Sequence, residues 1–202
     1  MQHRAAARYK VAARRTARLG GPLIVRRVFL VEAVAAAVLA SCLLPAAGCA
    51  RRPAPVAAAA REIALDAGDG FVWRGRHCRI VHLDAPEVAA PHFTGDQEPW
   101  ASRAKYRLRA LLDGAKKIEI LDLRHPDKYD RALVQLYIDG VPASVPLLRE
   151  GLAWEQVTRY GDDGLPDDAR LALEAWGAGP KPLPFDEPWA WRRAHAKVAR
   201  RD

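Results

Sequence analysis

Five side chains of this 202-residue chain are of types and spacings that could do chemistry on a phosphate. Asp69 sits in a glycine-rich turn, "AGDGF". Asp84 and Glu87 flank Pro86 in "CRIVHLDAPE", residues 78–87. Pro86 biases Ala85 toward extended backbone, so the two acids can flare from one turn. Carboxylates brought together repel unless a cation lies between them. A donor set made only of oxygen selects a hard ion, Ca²⁺ or Mg²⁺. Arg79 stands inside the apolar run that leads to Asp84, where an unpaired charge is costly. Arg131 repeats the oddity at the head of a second apolar run, in "DKYDRALVQLYIDG". A guanidinium is a forked donor matched to phosphate oxygens. Acids around a hard cation plus two arginines are equipment for phosphodiester chemistry with water as nucleophile. The same residues also read as Arg–Asp ion pairs at the rim of a sheet.

"HCRIVH" invites a zinc reading through His77, Cys78 and His82. Strand alternation separates His77 from the other two, and no fourth ligand stands nearby, so the spacing argues against zinc. Cys78 reads as a small buried residue of an apolar strand.

Elements must position these residues, and from Glu62 onward the chain supplies short alternating runs with turn signals between them. "EIALD", "FVWRG" and "HCRIVHL" read as strands, the latter two meeting at Arg74–Gly75–Arg76. "PWASRAKYRLRALLDG", 99–114, places Trp100, Ala104, Leu108, Leu111 and Leu112 on one face of a helix that Gly114 stops. "KKIEILDL" and "RALVQLYIDG" are two further strands. Short helices follow over 143–151 and 166–177, with "LAWEQV" a last short strand between them. The order predicts an α+β fold, mainly β: a five-stranded barrel of the oligonucleotide-binding type with about three helices. Strict alternation puts Arg79 and Asp84 on opposite faces, so the strand must end or bulge near Leu83 for both to reach one site.

The formal charge of +8 suggests nucleic acid until its distribution is seen. Residues 1–49 hold 8 Lys/Arg against 1 acid, whereas residues 50–202 hold 24 against 23. The basic excess belongs to the leader. There an uncharged run, 33–49, follows an arginine-rich start, as in an export signal. "RRVFL", Arg26 to Leu30, resembles a twin-arginine core. "LASC" resembles a lipoprotein box that would lipidate Cys42, and "AAGC" offers Cys49 as a second candidate. The expected organisation is a leader over 1–49, a Pro/Ala linker over 50–60, a barrel domain over 61–180 and a tail over 181–202. The expected location is the cell envelope or periplasm, tethered by lipid, or outside the cell. Trp189 and Trp191 would pack the tail onto the body, with the basic "RRAHAKVARR" a solvated helix end.

The order of "GDGF", "CRIVHLDAPE", "AKKIEI", "DKYDRALVQLYIDG" and "LLREGLAWEQV" resembles the staphylococcal nuclease (thermonuclease) family, over roughly Ile63 to Gly177. "EPWAWRR", 187–193, resembles a tail common in bacterial members. The resemblance implies a calcium-dependent nuclease acting on DNA, RNA or both as a monomer. Asp69 and Asp84 would ligate the metal through side chains and Ala85 through its backbone carbonyl. Glu87 would orient or deprotonate water. Arg79 and Arg131 would grip the scissile phosphate, and Lys128 and Tyr129 a neighbouring one. The products would be 3′-phosphate and 5′-hydroxyl ends.

The chain departs from the family at the turn, which is usually Asp-Gly-Asp-Thr and here is Ala67-Gly68-Asp69-Gly70. Loss of such support commonly weakens metal binding by about 10–100-fold, so weaker calcium affinity or tolerance of another divalent ion is expected. Asp130 stands where the family has glycine. The competing reading is a non-catalytic barrel that binds nucleic acid or protein at the cell envelope. A binder has no use for three acids beside an anionic ligand.

Overall fold

The structure, a computed structural model, describes residues 53–197. The leader, with Cys42, Cys49 and the Arg26–Arg27 pair, lies outside the described residues.

Strands β1 (Val56–Ala58) and β2 (Ile63–Leu65) are separated by a turn of 3-10 helix, Ala60–Glu62. β3 (Gly70–Trp73) and β4 (Arg76–Ile80) form a hairpin. Its turn residues, Arg74 and Gly75, both have positive φ, 51° and 76°. That turn suits the right-handed twist of the strands it joins. β5 (Leu83–Asp84) follows, then α1 (Trp100–Gly114), β6 (Ile118–Pro126), β7 (Ala132–Ile138) and β8 (Val141–Pro142). The chain continues as α2 (Ser144–Arg149), β9 (Trp154–Glu155), α3 (Val157–Tyr160), α4 (Pro166–Ala178) and α5 (Pro188–His195).

The main sheet runs in the order β1-β6-β7-β4-β3-β2, with β8 paired to β7. All its pairs are antiparallel except β4 with β7, where Arg79 lies opposite Leu133. The two outermost strands, β1 and β2, are halves of one segment joined by the 3-10 turn. The sheet therefore curls until its edges are bridged by the chain itself. This is the mainly-β, oligonucleotide-binding type of fold that the order of elements predicts. The five strands expected are β2, β3, β4, β6 and β7.

Two differences have physical causes. The segment 50–60 was expected to be an unpacked linker, yet Val56–Ala58 pairs with Ile118–Ile120 and covers the edge of β6. Val-Ala-Ala among alanines and prolines carries no alternating pattern. The described residues also hold five α-helices instead of about three. The additional ones, α3 and α5, have four and eight residues, so neither offers a long apolar stripe to read.

The core fills the concave side of the sheet. Phe71, Ile80, Leu83, Leu108, Leu136, Leu147 and Leu148 are fully buried there. Helix α1 presents Ala101, Ala104, Leu108 and Leu112 to it. These lie at i, i+3, i+7 and i+11, one face of a 3.6-residue repeat.

Candidate active site

The first acid enters on the turn between β2 and β3. The N–H groups of Asp66 and Ala67 both donate to the Gly70 carbonyl, leaving Gly68 and Asp69 at the tip. A Cβ on Gly68 would lie 2.7 Å from the Ala104 Cβ and 2.8 Å from the Ala85 Cβ. Only glycine lets the tip press between α1 and the turn that follows β5. That contact sets Asp69 beside Ala85, whose N–H donates to Asp69 Oδ2 at 3.2 Å.

The second acid reaches the same place because β4 ends early. Val81 and His82 turn the chain, His82 at φ 69°, and the backbone resumes as β5. The expected break thus falls at Val81–His82, just before Leu83. His82 is held there by a buried ring whose Nε2 lies 3.1 Å from the Asp162 carbonyl. β5 then pairs with β9, setting Asp84 opposite Trp154. With the strand interrupted, Arg79 can reach both aspartates. Its Nη1 lies 2.8 Å from Asp69 Oδ2 and its Nη2 2.6 Å from Asp84 Oδ1. Asp69 is 5% exposed and Asp84 2%.

Glu87 follows on the same turn. Its backbone is bracketed by Gln97, which accepts the Glu87 N–H at 3.0 Å and donates its own N–H to the Glu87 carbonyl at 2.9 Å. The side chain of Gln97 also donates to the Asp186 carbonyl at 2.8 Å, just ahead of α5.

Helix α5 contributes a residue that sequence reasoning missed. Arg192 forks onto Asp84, Nη2 to Oδ2 at 2.8 Å and Nη1 to Oδ1 at 3.1 Å. Nη1 also donates to Glu87 Oε1. The only signal in the sequence is "PWAWRR", with proline at the first helical turn and tryptophans that anchor it. Nothing in that pattern says which arginine turns inward.

Three acids and two guanidiniums thus form one cluster, with Asp69, Asp84 and Arg79 buried and Glu87 and Arg192 half-buried. Burial pushes the Asp84 carboxyl up, but Arg79 and Arg192 together reverse this and hold it below the usual carboxylate range. Glu87 goes the other way. Burial raises it, Asp69 and Asp84 add to the rise, and Arg192 offsets only part of it. Both arginines are held above their ordinary value: burial opposes this, and the neighbouring acids outweigh it.

The remaining expected residues form a second group. Arg131 is paired with Asp127, Nε to Oδ2 at 2.8 Å and Nη2 to Oδ2 at 2.7 Å. Its guanidinium and the Lys128 ammonium both lie over the Tyr129 ring, 5.5 and 4.9 Å from its centre. The group heads β7, the strand beside the one that carries Arg79. Arg131 thus heads the strand beside that of Arg79, with its fork turned to Asp127. The second guanidinium on the acids is Arg192.

Among the described residues, no three of His, Cys, Asp and Glu converge as ligands for one ion. Asp84 Oδ1 and Asp69 Oδ2 each take two donors already. Asp69 Oδ1 takes none among the described residues, and Asp84 Oδ2 takes one. Two aspartate oxygens completed by water match the way Mg²⁺ is commonly held, and Ca²⁺, which takes more oxygens, would draw the rest from water and backbone carbonyls.

A model of the staphylococcal nuclease homologue family matches residues 77–175. These residues are a staphylococcal nuclease domain. Asp69 and Arg192 flank the matched span on either side. The chain is 28% identical over 141 residues, 66% of its length, to "Probable staphylococcal-like nuclease CAN1" of Oryza sativa subsp. japonica. It is 31% identical over 83 residues, 41% of its length, to "Probable endonuclease lcl3" of Neosartorya fischeri. It is 30% identical over 102 residues, 48% of its length, to "SPbeta prophage-derived endonuclease YokF" of Bacillus subtilis (strain 168). The matches span 37%, 27% and 34% of those relatives, so the chain covers well under half of each.

Proposed function

We propose that the domain hydrolyses phosphodiester bonds of DNA or RNA by attack of water, with a divalent cation, calcium first among the candidates, held by Asp69 and Asp84. The observation that carries the reading is the convergence of the buried Asp69 and Asp84 on Arg79, with Glu87 tied to Asp84 through Arg192. The nuclease relatives point the same way.

A phosphodiester resists hydrolysis because its negative charge repels a nucleophile. A bound divalent ion offsets that charge and polarises the phosphoryl oxygen. The chain's own residues supply the rest. Arg79 holds the two aspartates at a fixed spacing. Glu87, raised above the ordinary carboxyl range, is the base suited to accept a proton from water at Oε2, the oxygen that Arg192 leaves free. Lys128 and Arg131 on the adjacent loop would take phosphate oxygens, with Tyr129, 66% exposed, beside them. Departure of the 5′ oxygen leaves a 3′-phosphate end. Residues 1–49 are proposed, on sequence alone, as an export leader with Cys42 or Cys49 as lipid anchor.

The test is digestion of plasmid DNA and of structured RNA with Ca²⁺, Mg²⁺ or Mn²⁺ and with chelator. Glu87→Ala and Asp84→Ala should each lower the rate by roughly 10²–10³-fold, and chelator should abolish it. Clearing of nucleic acid that ignores both substitutions would overturn the reading. Binding without cleavage would favour a non-catalytic barrel.

A further inference from the structure

We propose that Arg192 is a positioning residue of this site: its charge sets how tightly the acids bind a divalent cation, and its fork fixes Glu87 relative to Asp84. The inference rests on the reading of the site as a cation-assisted phosphodiesterase.

Arg192 is not a casual surface partner. It reaches Asp84, which is 2% exposed, through two hydrogen bonds, and Glu87 through a third. Exposed ion pairs of flexible side chains are worth little, whereas a fork that bridges a buried carboxylate and a half-buried one fixes their geometry. The element that delivers it is fastened independently. Trp191 is buried, edge-on to Phe93 and stacked on His195. The guanidiniums of Arg159 and Arg193 both lie over the Trp189 ring, 4.0 and 4.7 Å from its centre. Arg159 also pairs with Glu187 at 2.6 Å. The backbone after the helix bridges to Phe93, and the Thr94 N–H donates to the His195 carbonyl at 2.9 Å. Gln97 ties the Glu87 backbone to Asp186. The loop that follows Glu87 and the helix that carries Arg192 are one clasp.

The charges give the proposal its sign. Asp69, Asp84 and Glu87 against Arg79 and Arg192 leave a net single negative charge. A divalent cation turns this into a net positive charge, which attracts a phosphodiester anion. Without Arg192 the acids carry one more negative charge. They then bind a cation more tightly, yet the loaded site is neutral and Glu87 has lost the donor that aims it.

The experiment is isothermal titration of Ca²⁺ and of Mn²⁺ into the full chain, without nucleic acid, beside steady-state hydrolysis. R192A should bind either ion at least about tenfold more tightly, by loss of a like charge. Its kcat should fall roughly 10–100-fold with KM changed less. R192K keeps the charge but not the fork. It should retain wild-type cation affinity and recover only part of kcat. Should R192A fail to melt cooperatively, R192Q, which refills the volume, is read in its place. Cation affinity that is unchanged or weaker in the neutral variant overturns the proposal, as does an absence of cation binding in both proteins. Tighter binding in a chain that digests nothing would leave the cation role standing and remove the nuclease reading.

Discussion

Gly68 shows how a residue without function of its own can position one that has it. The nearest atoms to a Cβ at this site are two other Cβ atoms, Ala104 in α1 and Ala85 in the acid turn. Neither can swing away. Gly68→Ala should cost about 1–3 kcal/mol, read as a lower denaturant midpoint with unchanged slope. It should also lower turnover, because the tip cannot move without carrying Asp69 from Arg79. Asp127 holds Arg131 in the same manner. Burial alone would raise its carboxyl, but the Arg131 N–H, the Arg131 side chain and the Tyr129 N–H hold it below the usual range. A lowered folded-state value means that Asp127 contributes stability above its unfolded value, about 3.9, and loses it as pH falls through the folded one. Carboxyl NMR should show it titrating below ordinary aspartates. Asp127→Asn should remove its share of the acid-limb loss.

At the scale of elements, α5 decides whether the acids are held. Trp191→Ala removes the side chain that seats the helix against Phe93 while touching none of the carboxylates. Loss of a buried tryptophan costs about 3–5 kcal/mol, a cost that the helix alone should bear. Hydrogen exchange should then accelerate over 188–197 and over 88–98, with β3, β4 and β7 still protected, and hydrolysis should fall. Uniform acceleration across the sheet would refute this division. The elements also explain what was legible beforehand. Arg79, Asp84 and Glu87 lie within nine consecutive residues, so spacing alone exposed the clash between alternation and a shared site. It also demanded a break in the strand. Asp69 was legible from its glycine turn. Arg192 was not, because it comes 105 residues after Glu87. Helical periodicity says that a face is buried but not against what. β1 was hidden for a simpler reason: Val-Ala-Ala among prolines and alanines has no pattern that distinguishes strand from spacer.

For the molecule as a whole, the basic excess lies almost wholly in residues 1–49, leaving the remainder near neutrality. On the proposed function, affinity for nucleic acid would come from the local arrangement of Arg131, Lys128 and a cation held by the acids, not from a broad field. The sheet has a vulnerability of another kind. β6 carries Ile118, Ile120 and Leu121, and Val56–Ala58 covers its outer edge. Trimming at Cys42 or Cys49 leaves that cover in place, whereas a nick at Ala59 would remove it. A row of unsatisfied amides and carbonyls would then offer itself as a template for a neighbour's strand. Sedimentation should show a chain beginning at Ala60 forming large assemblies at concentrations where one beginning at Pro53 does not. Removal of the proposed leader must therefore stop short of Val56 for the β6 edge to stay covered.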